Sequence, residues 1–223
     1  RIRKPDALEL DYTREMMAGL LLRDAAWPKR VLLIGLGAGS LAKFIHRHLP
    51  EAHSTVVEIA PEVHAVARQF FKLPDEDERL QIVIGDGADF VTQDTRQWDL
   101  IAVDGFDRHA RAGALATQPF YEACRARLSD RGLLAVNLFG QLRGFKTQVQ
   151  RLGKAFEGRV LALPELESGN VVAFGAVGEQ VESSLAELRV RAASLKAATG
   201  LDLTPTLRRL EKSGVLSDGR LGF

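Results

Sequence analysis

The sequence contains a single cysteine, Cys124, among its 223 residues. One cysteine excludes both a disulfide within the chain and a metal cluster built on cysteine ligands. The formal net charge is only +1 at pH 7, so the charge balance does not favour nucleic acid or an anionic membrane as a partner. The sequence also lacks a membrane-length apolar run and a signal peptide. A cytoplasmic location is therefore expected.

The five histidines show no spacing typical of metal ligands. His46 and His48 are two residues apart and would point to different faces of a helix, and the others fall in unrelated segments. The sequence also lacks a Gly-x-Ser-x-Gly nucleophile elbow and a Gly-x-x-x-x-Gly-Lys phosphate-binding loop. We therefore expect no metal site, no nucleophilic serine of the elbow type and no phosphate-binding loop of that type.

The most informative stretch is Val-Leu-Leu-Ile-Gly-Leu-Gly-Ala-Gly-Ser at 31–40. Its branched apolar run predicts a buried strand, and the apolar spacing over 41–49 predicts a helix. Between them, Gly35, Gly37 and Gly39 predict a tight turn, because glycine allows positive φ and lets a ligand approach the backbone. The start of the helix offers free N–H groups at the positive end of a dipole.

A second apolar run, 54–58, ends in Glu58. An acid at the end of the second strand can accept hydrogen bonds from both hydroxyls of a ribose. Gly-x-Gly-x-Gly is one residue shorter than the dinucleotide motif, which favours a nucleoside with a short charged tail. The sequence thus predicts a nucleoside site at the carboxyl ends of parallel strands, and a strand–helix turn that binds nothing is the alternative.

Strands alternate with helices five times along the sequence up to residue 138, which predicts a parallel sheet with helices on both faces. The runs 160–163 and 170–177 predict an antiparallel hairpin at its edge. The expected fold class is α/β, a Rossmann-like, seven-stranded, mostly parallel sheet with an antiparallel edge hairpin. This plan resembles that of class I S-adenosylmethionine-dependent enzymes.

The chain is long enough for one such domain. We predict a helical lead-in over 1–28, with a helix at 8–22, followed by an S-adenosylmethionine-binding domain over 29–223. A charged helix is expected over 180–198, and the glycine-rich tail after Ser213 is expected to be mobile.

Four short segments carry a more specific pattern. They are Arg-Glu-Met-Met at 14–17, Val-Glu-Ile-Ala-Pro-Glu-Val at 57–63, Ile-Gly-Asp-Gly-Ala-Asp-Phe at 84–90 and Asp-Gly-Phe-Asp at 104–107. Together they resemble elements of the spermidine synthases, the polyamine aminopropyltransferases. The resemblance implies a transferase that moves an aminopropyl group from decarboxylated S-adenosylmethionine to a polyamine acceptor, a small-molecule amine.

The resemblance also implies roles for individual residues. Asp104 and Asp107 would hold and deprotonate the acceptor amine as catalytic residues, while a helix cap or a salt bridge is the alternative for each. Arg14 and Tyr121 would bind substrate, although Tyr121 could equally be a helix residue packed on the sheet. The residues implied for cofactor binding are Gly35, Gly37, Gly39, Glu58, Ile59, Asp86, Gly87 and Ala88.

Several residues depart from the family pattern. Ala38 stands where the family usually has an aspartate facing the aminopropyl end of the donor, so ordinary S-adenosylmethionine becomes an alternative donor. Arg14 and Thr13 replace a histidine and a tyrosine of the diamine-binding region, and the loop at 108–117 is basic where the family has prolines. The family's N-terminal β-hairpin domain is expected to be absent or much reduced.

Two other functions remain open at this point. One is an S-adenosylmethionine-dependent methyltransferase of a small molecule, and the other is a nucleoside-binding module without turnover. Neither nucleic acid nor a membrane is expected as a partner. The sequence leaves open the acceptor and the oligomeric state, a homodimer included.

Overall fold

Strands and helices alternate over residues 30–162 in the order that the apolar pattern predicts. The computed structural model describes residues 5–24, 26–105, 113–141 and 144–223. The strands of these ranges are β1 (Arg30–Ile34), β2 (His53–Glu58), β3 (Leu80–Ile84), β4 (Trp98–Val103), β5 (Leu128–Phe139), β6 (Val160–Ala162), β7 (Asn170–Ala176), β8 (Glu182–Ser184) and β9 (Arg220–Gly222). The helices are α1 (Asp11–Met16), α2 (Ser40–His48), α3 (Pro61–Phe71), α4 (Gly87–Gln93), α5 (Gln118–Ala126), α6 (Phe145–Ala155), α7 (Leu185–Thr199) and α8 (Thr204–Lys212).

Within the described residues, seven strands form the main sheet in the order β3-β2-β1-β4-β5-β7-β6. The first five are parallel, and β7 is antiparallel to both β5 and β6. The predicted fold class, with its antiparallel edge, is confirmed. The direction in which successive strands are added reverses between β1 and β4, the place where open α/β sheets bind ligands.

Alternate residues of each strand face opposite sides of the sheet. On β4, Leu100 and Ala102 belong to one apolar core, and Ile101 and Val103 belong to the other. Residues of α1, α2, α3, α7 and α8 pack into the first core, and residues of α4, α5 and α6 pack into the second. In the part of the chain that is described, no helix combines the length and apolar character needed to cross a membrane.

The lead-in differs from the continuous helix predicted over 8–22. Helix α1 ends at Met16, and a separate 3₁₀ turn follows at Ala18–Leu21. At Gly19, a Cβ would lie 3.2 Å from a methyl carbon of Leu133 on β5, so the chain approaches the sheet closely here. The boundary predicted at residue 28 stays a prediction.

An ion pair between a buried carboxylate and a partly exposed guanidinium links α1 to the C-terminal part of the chain. Glu15 is 1% exposed, and the guanidinium of Arg209 on α8 donates a hydrogen bond to its carboxylate. Burial raises the pKa of Glu15 to about 7, because desolvation outweighs the attraction of Arg209. The first and last described helices are thus joined across one face of the sheet.

The C-terminal region corrects two predictions. The helix expected from residue 180 begins only at Leu185, because Ser184 caps it and forms a capping box with Glu187. The preceding strand β8 pairs antiparallel with β9, which lies in the tail that was expected to be mobile. Leu221 and Phe223 are 2% and 8% exposed, so apolar burial fixes the tail to the domain.

Replacing Leu221 tests this attachment. Large-to-small substitution of a buried leucine costs about 2–5 kcal/mol, so Leu221→Ala should lower the free energy of unfolding by an amount in that range. Urea denaturation followed by circular dichroism measures it. Arg220→Ala, at the exposed neighbouring position, is the control, and equal unfolding midpoints for the two variants would mean that the tail is mobile.

Candidate active site

The ends of β1 and β4 come together where the strand order reverses. Ile34 pairs with Val103, and the backbone N–H of Asp104 donates to the carbonyl oxygen of Ile34 at 2.8 Å. A Cβ on Gly35 would lie 2.4 Å from the Asp104 carbonyl oxygen, and Gly35 has φ +97°. Only glycine therefore allows the turn after β1 to lie directly against Asp104.

The other two glycines of the turn have different surroundings. A Cβ on Gly37 would meet nothing within 4 Å, whereas one on Gly39 would lie 2.7 Å from a methyl carbon of Leu73. Gly37 therefore presents bare backbone to open space. Gly39, at the start of α2, allows the backbone to pack directly against the Leu73 side chain. The start of α2 has no side-chain cap.

Glu58 binds the glycine turn to the end of β2. Its Oε2 accepts a hydrogen bond from the Leu36 N–H at 2.9 Å, and its Oε1 accepts one from the Ala60 N–H at 3.0 Å. The residue is only 7% exposed. Each carboxylate oxygen can accept a second hydrogen bond, so Glu58 can hold the turn and still receive a ligand hydroxyl.

Asp86 is the N-cap of α4. Its Oδ1 accepts hydrogen bonds from the N–H groups of Ala88 at 2.7 Å and Asp89 at 3.2 Å. A Cβ on Gly87 would lie 2.4 Å from a methyl carbon of Ile34, so α4 begins in contact with β1. Ala88 acts here through its backbone, as a support for Asp86.

These residues surround a cleft of about 370 Å³. Its size falls within the range of small-molecule sites, about 300–1,000 Å³. Leu115, from a 3₁₀ turn at Gly113–Ala116, closes one side. The predicted site residues that line the cleft are Gly35, Gly37, Glu58, Ile59, Asp86, Gly87 and Asp104.

A second cavity, of about 220 Å³, lies between the glycine turn and α1. Tyr12 and Thr13 contribute to its lining, as do Ala38 and Asp104. Asp104 lines both cavities, as do Gly35 and Gly37, so these three residues lie where the two cavities meet. This is the position that a group acting between two bound reactants requires.

The carboxylate of Asp104 is partly desolvated and has two polar neighbours. Asn137 on β5 donates from Nδ2 to Oδ1 of Asp104 at 2.9 Å, and Tyr12 faces this carboxyl group from α1. Burial raises the pKa of Asp104, while Asn137 and Tyr12 act in the opposite direction. The pKa of Tyr12 is likewise raised, by burial and by the nearby Asp104 charge.

Arg14 and Tyr121 are the two residues expected to bind substrate, and both lie away from the cleft. Arg14 donates to the carbonyl oxygens of Leu8 at 2.8 Å and Glu9 at 2.7 Å and to the Asp11 carboxylate at 2.7 Å. Its guanidinium is thus engaged in holding the segment before α1, and Arg14 lines neither cavity.

Tyr121 is fully buried at 0% exposure in the core formed with α5. Its hydroxyl has no hydrogen-bond partner within the described ranges, and the side chain packs on the sheet instead of reaching the cleft. Gly39 and Ala88 also lie outside the cleft lining. Asp107, and the basic residues Arg108, His109 and Arg111, lie outside the described residues.

The sequence analysis missed Asn137, which donates to Asp104, and Tyr12, which faces it. Tyr12 directly precedes Thr13, the residue that replaces a tyrosine of the family pattern. Asn137 interrupts the apolar run 133–138, and a buried amide inside such a run is a signal that could have been used. In the described part of the chain, no group of three or more His, Cys, Asp or Glu side chains is arranged to hold a metal ion.

Two solved structures share the fold of this chain over most of its length. Human methyltransferase-like protein 13 in complex with SAH matches with a TM-score of 0.73 and 25% identity, over 89% of this chain and 93% of that one. A spermidine synthase in complex with the transition state analogue AdoDATO matches with a TM-score of 0.65 and 28% identity, over 76% of this chain and 61% of that one.

Sequence comparison is more specific. A polyamine aminopropyltransferase from Chromobacterium violaceum is 40% identical over 97% of this chain and 82% of its own length. One from Neisseria meningitidis is 39% identical over 94% of this chain and 79% of its own length. The family model for the spermine/spermidine synthase domain matches residues 10–161, a segment that contains the glycine turn, Glu58, Asp86 and Asp104. The chain therefore belongs to the spermine/spermidine synthase family.

Proposed function

We propose that this chain is a polyamine aminopropyltransferase whose catalytic base is Asp104. The observation that carries the proposal is that Asp104 lines both the nucleoside cleft and the cavity beside α1. Family membership supports the same reaction, since the relatives are named as polyamine aminopropyltransferases. A small-molecule polyamine is the acceptor in this proposal.

The cleft has the groups that a nucleoside needs. Glu58 would accept hydrogen bonds from the ribose hydroxyls, and Asp86 would accept one from the adenine amine. Oδ1 of Asp86 already caps α4, so its other carboxylate oxygen is the one proposed for the adenine. The bare backbone at Gly37 leaves room for the tail that carries the sulfonium.

Transfer requires one proton movement and one substitution at carbon. Asp104 would take a proton from the acceptor ammonium, which frees the lone pair on nitrogen. That nitrogen would attack the carbon next to the sulfonium, and the carbon–sulfur bond would break with its electrons staying on sulfur. Methylthioadenosine would leave as a neutral thioether. Asp107 is proposed as a second anchor for the amine.

The charge around Ala38 bears on the choice of donor. Lys43 is buried, and its ammonium donates to the carbonyl oxygens of Ala38 at 2.8 Å and Phe71 at 2.6 Å. The family's donor is decarboxylated S-adenosylmethionine. With a fixed cation behind Ala38 and no carboxylate on that residue, we propose that ordinary S-adenosylmethionine is also accepted as a ligand.

This feature makes a methyltransferase the second candidate function. The likeness to human methyltransferase-like protein 13, whose structure contains SAH, favours it as well. Asp104 favours aminopropyl transfer, because a base between the two cavities suits an amine that arrives protonated.

The nucleoside assignment is tested by Glu58→Ala. The substitution removes an acceptor from ligand hydroxyls and from the Leu36 and Ala60 amides, and such losses cost about 1–3 kcal/mol. Calorimetry should show methylthioadenosine binding weakened about tenfold or more. Glu62→Ala, at an exposed position in the first turn of α3, is the control. Unchanged binding in Glu58→Ala would contradict the assignment.

Donor choice is tested by Ala38→Asp. The wild-type protein should bind ordinary and decarboxylated S-adenosylmethionine with similar affinity. The new carboxylate should repel the carboxylate of the ordinary form and attract the amine, so the affinity ratio should shift toward the decarboxylated form. Ala38→Asn has a side chain of the same size without the charge and serves as the control. A wild type that already prefers the decarboxylated form about a hundredfold, a difference of about 2.7 kcal/mol, would refute the proposal.

The reaction is tested by Asp104→Asn, which keeps the shape of the side chain and removes the base. General bases contribute about 10²–10⁴-fold, so turnover of putrescine with decarboxylated S-adenosylmethionine should fall by that factor. Methylthioadenosine affinity, measured by calorimetry, should stay near the wild-type value.

Two results would overturn the aminopropyl reading. A wild-type protein that transfers no aminopropyl group to any common diamine or triamine is one, and an Asp104→Asn variant with wild-type turnover is the other. Methyl transfer from ordinary S-adenosylmethionine to a small acceptor would establish the second candidate instead. Methylthioadenosine binding without either reaction would leave a nucleoside-binding module.

A further inference from the structure

A row of side-chain hydrogen bonds leads across the sheet to Asp104. Asn137 donates from Nδ2 to Oδ1 of Asp104 at 2.9 Å. Asn170 donates from Nδ2 to Oδ1 of Asn137 at 2.9 Å, and Ser168 donates from Oγ to Oδ1 of Asn170 at 2.7 Å. Both asparagines are buried, at 4% and 5% exposure.

The strand register brings these groups together. Val103 pairs with Val136, so Asp104 and Asn137 are lateral neighbours one position further along. On the other side, β5 and β7 are antiparallel, with Phe139 opposite Asn170. Asn137 and Asn170 are therefore diagonal neighbours on one face, within reach of a side-chain hydrogen bond.

The direction of the row is fixed by its chemistry. An asparagine side chain donates from one atom and accepts at another. If Asn137 were reversed, its carbonyl oxygen would face the Asp104 carboxylate, and both groups are acceptors. Asn170 supports Asn137 in the donating orientation, and the Ser168 hydroxyl donates to the carbonyl oxygen of Asn170. Buried amides cannot readily replace a lost partner with water, so each bond supports the next.

We propose that Asn137, Asn170 and Ser168 form a directional relay that orients the Asp104 carboxylate and favours its ionised form. The proposal rests on the function proposed for Asp104. Asn170 and Ser168 are positioning residues in this account, since neither lines the cleft or the cavity beside α1. They would act on the reaction only through Asn137.

Other charged or titratable groups also face Asp104. Tyr12 approaches it from α1, and Glu58 and Asp86 line the same cleft from the ends of β2 and β3. These are the groups found within the described ranges, and the segment that contains Asp107 lies outside them. None of these side chains is hydrogen-bonded to Asn170, so substitution there changes the relay and leaves them in place.

The relay predicts a change in pH dependence. Burial raises the pKa of Asp104, and the hydrogen bond from Asn137 opposes that effect. Without Asn170, Asn137 loses its fixed orientation and the pKa of Asp104 should rise further. A base is active only when deprotonated, so the acidic limb of kcat/KM should move to higher pH.

The test compares Asn170→Leu with Val172→Ala. Leucine has a similar volume and cannot form either hydrogen bond, while Val172 lies on the same face of β7 and makes no side-chain hydrogen bond. The midpoint of the Asp104 titration should rise in Asn170→Leu by up to about one pH unit, the shift that corresponds to complete loss of the hydrogen bond from Asn137 to the charged carboxylate. It should stay unchanged in Val172→Ala. NMR of free enzyme labelled with ¹³C-aspartate and the pH profile of kcat/KM measure it.

Ser168→Ala provides a milder variant that keeps both asparagines, and it should shift the midpoint in the same direction by less. An Asp104 midpoint that matches the wild type in both Ser168→Ala and Asn170→Leu would overturn the relay. The NMR titration needs no turnover. A wild type without aminopropyl transfer would therefore refute the proposed function, whereas the shift in free enzyme would still support the relay.

Discussion

The close approach of β1 and β4 is the constraint on which the rest of the site depends. At the reversal of strand order, the Asp104 N–H bonds to the Ile34 carbonyl, and Gly35 lies where any side chain would strike the Asp104 backbone. This contact brings the glycine turn and the Asp104 carboxylate to one point. A nucleoside proposed to bind at the turn would lie beside the residue at the end of β4, because these two strands are neighbours.

The acids proposed to bind the nucleoside also hold the backbone around it. Glu58 accepts hydrogen bonds from the glycine turn, and Asp86 caps α4. Their side chains are thus fixed before any ligand arrives, which reduces the entropy lost on binding. Asp104 is likewise held before a ligand binds, by the hydrogen bond from Asn137, and Tyr12 of α1 faces it. Helix α1 is itself linked to α8 by the ion pair between the buried Glu15 and Arg209.

Asp104 experiences opposing influences. Burial disfavours its charge, whereas donors from Asn137 and Tyr12 favour it, and a useful base needs a balance between them. The amide row across β5 and β7 supplies one side of this balance from the antiparallel part of the sheet. That region would otherwise have no role in a site built at the ends of the parallel strands.

Local patterns in the sequence were sufficient for the parallel strands, the glycine turn and the acids at 58, 86 and 104, because apolar periodicity and turn chemistry act over a few residues. Ser184 and Glu187 also form a capping-box pattern in the sequence, and it places the start of α7 at Leu185 instead of the predicted residue 180. Tertiary structure alone decided that Tyr121 faces the core, that Arg14 turns to the chain before α1, and that Asn170 reaches Asn137. These outcomes depend on helix rotation and strand register, which bring together residues far apart in sequence, and no local pattern encodes that pairing.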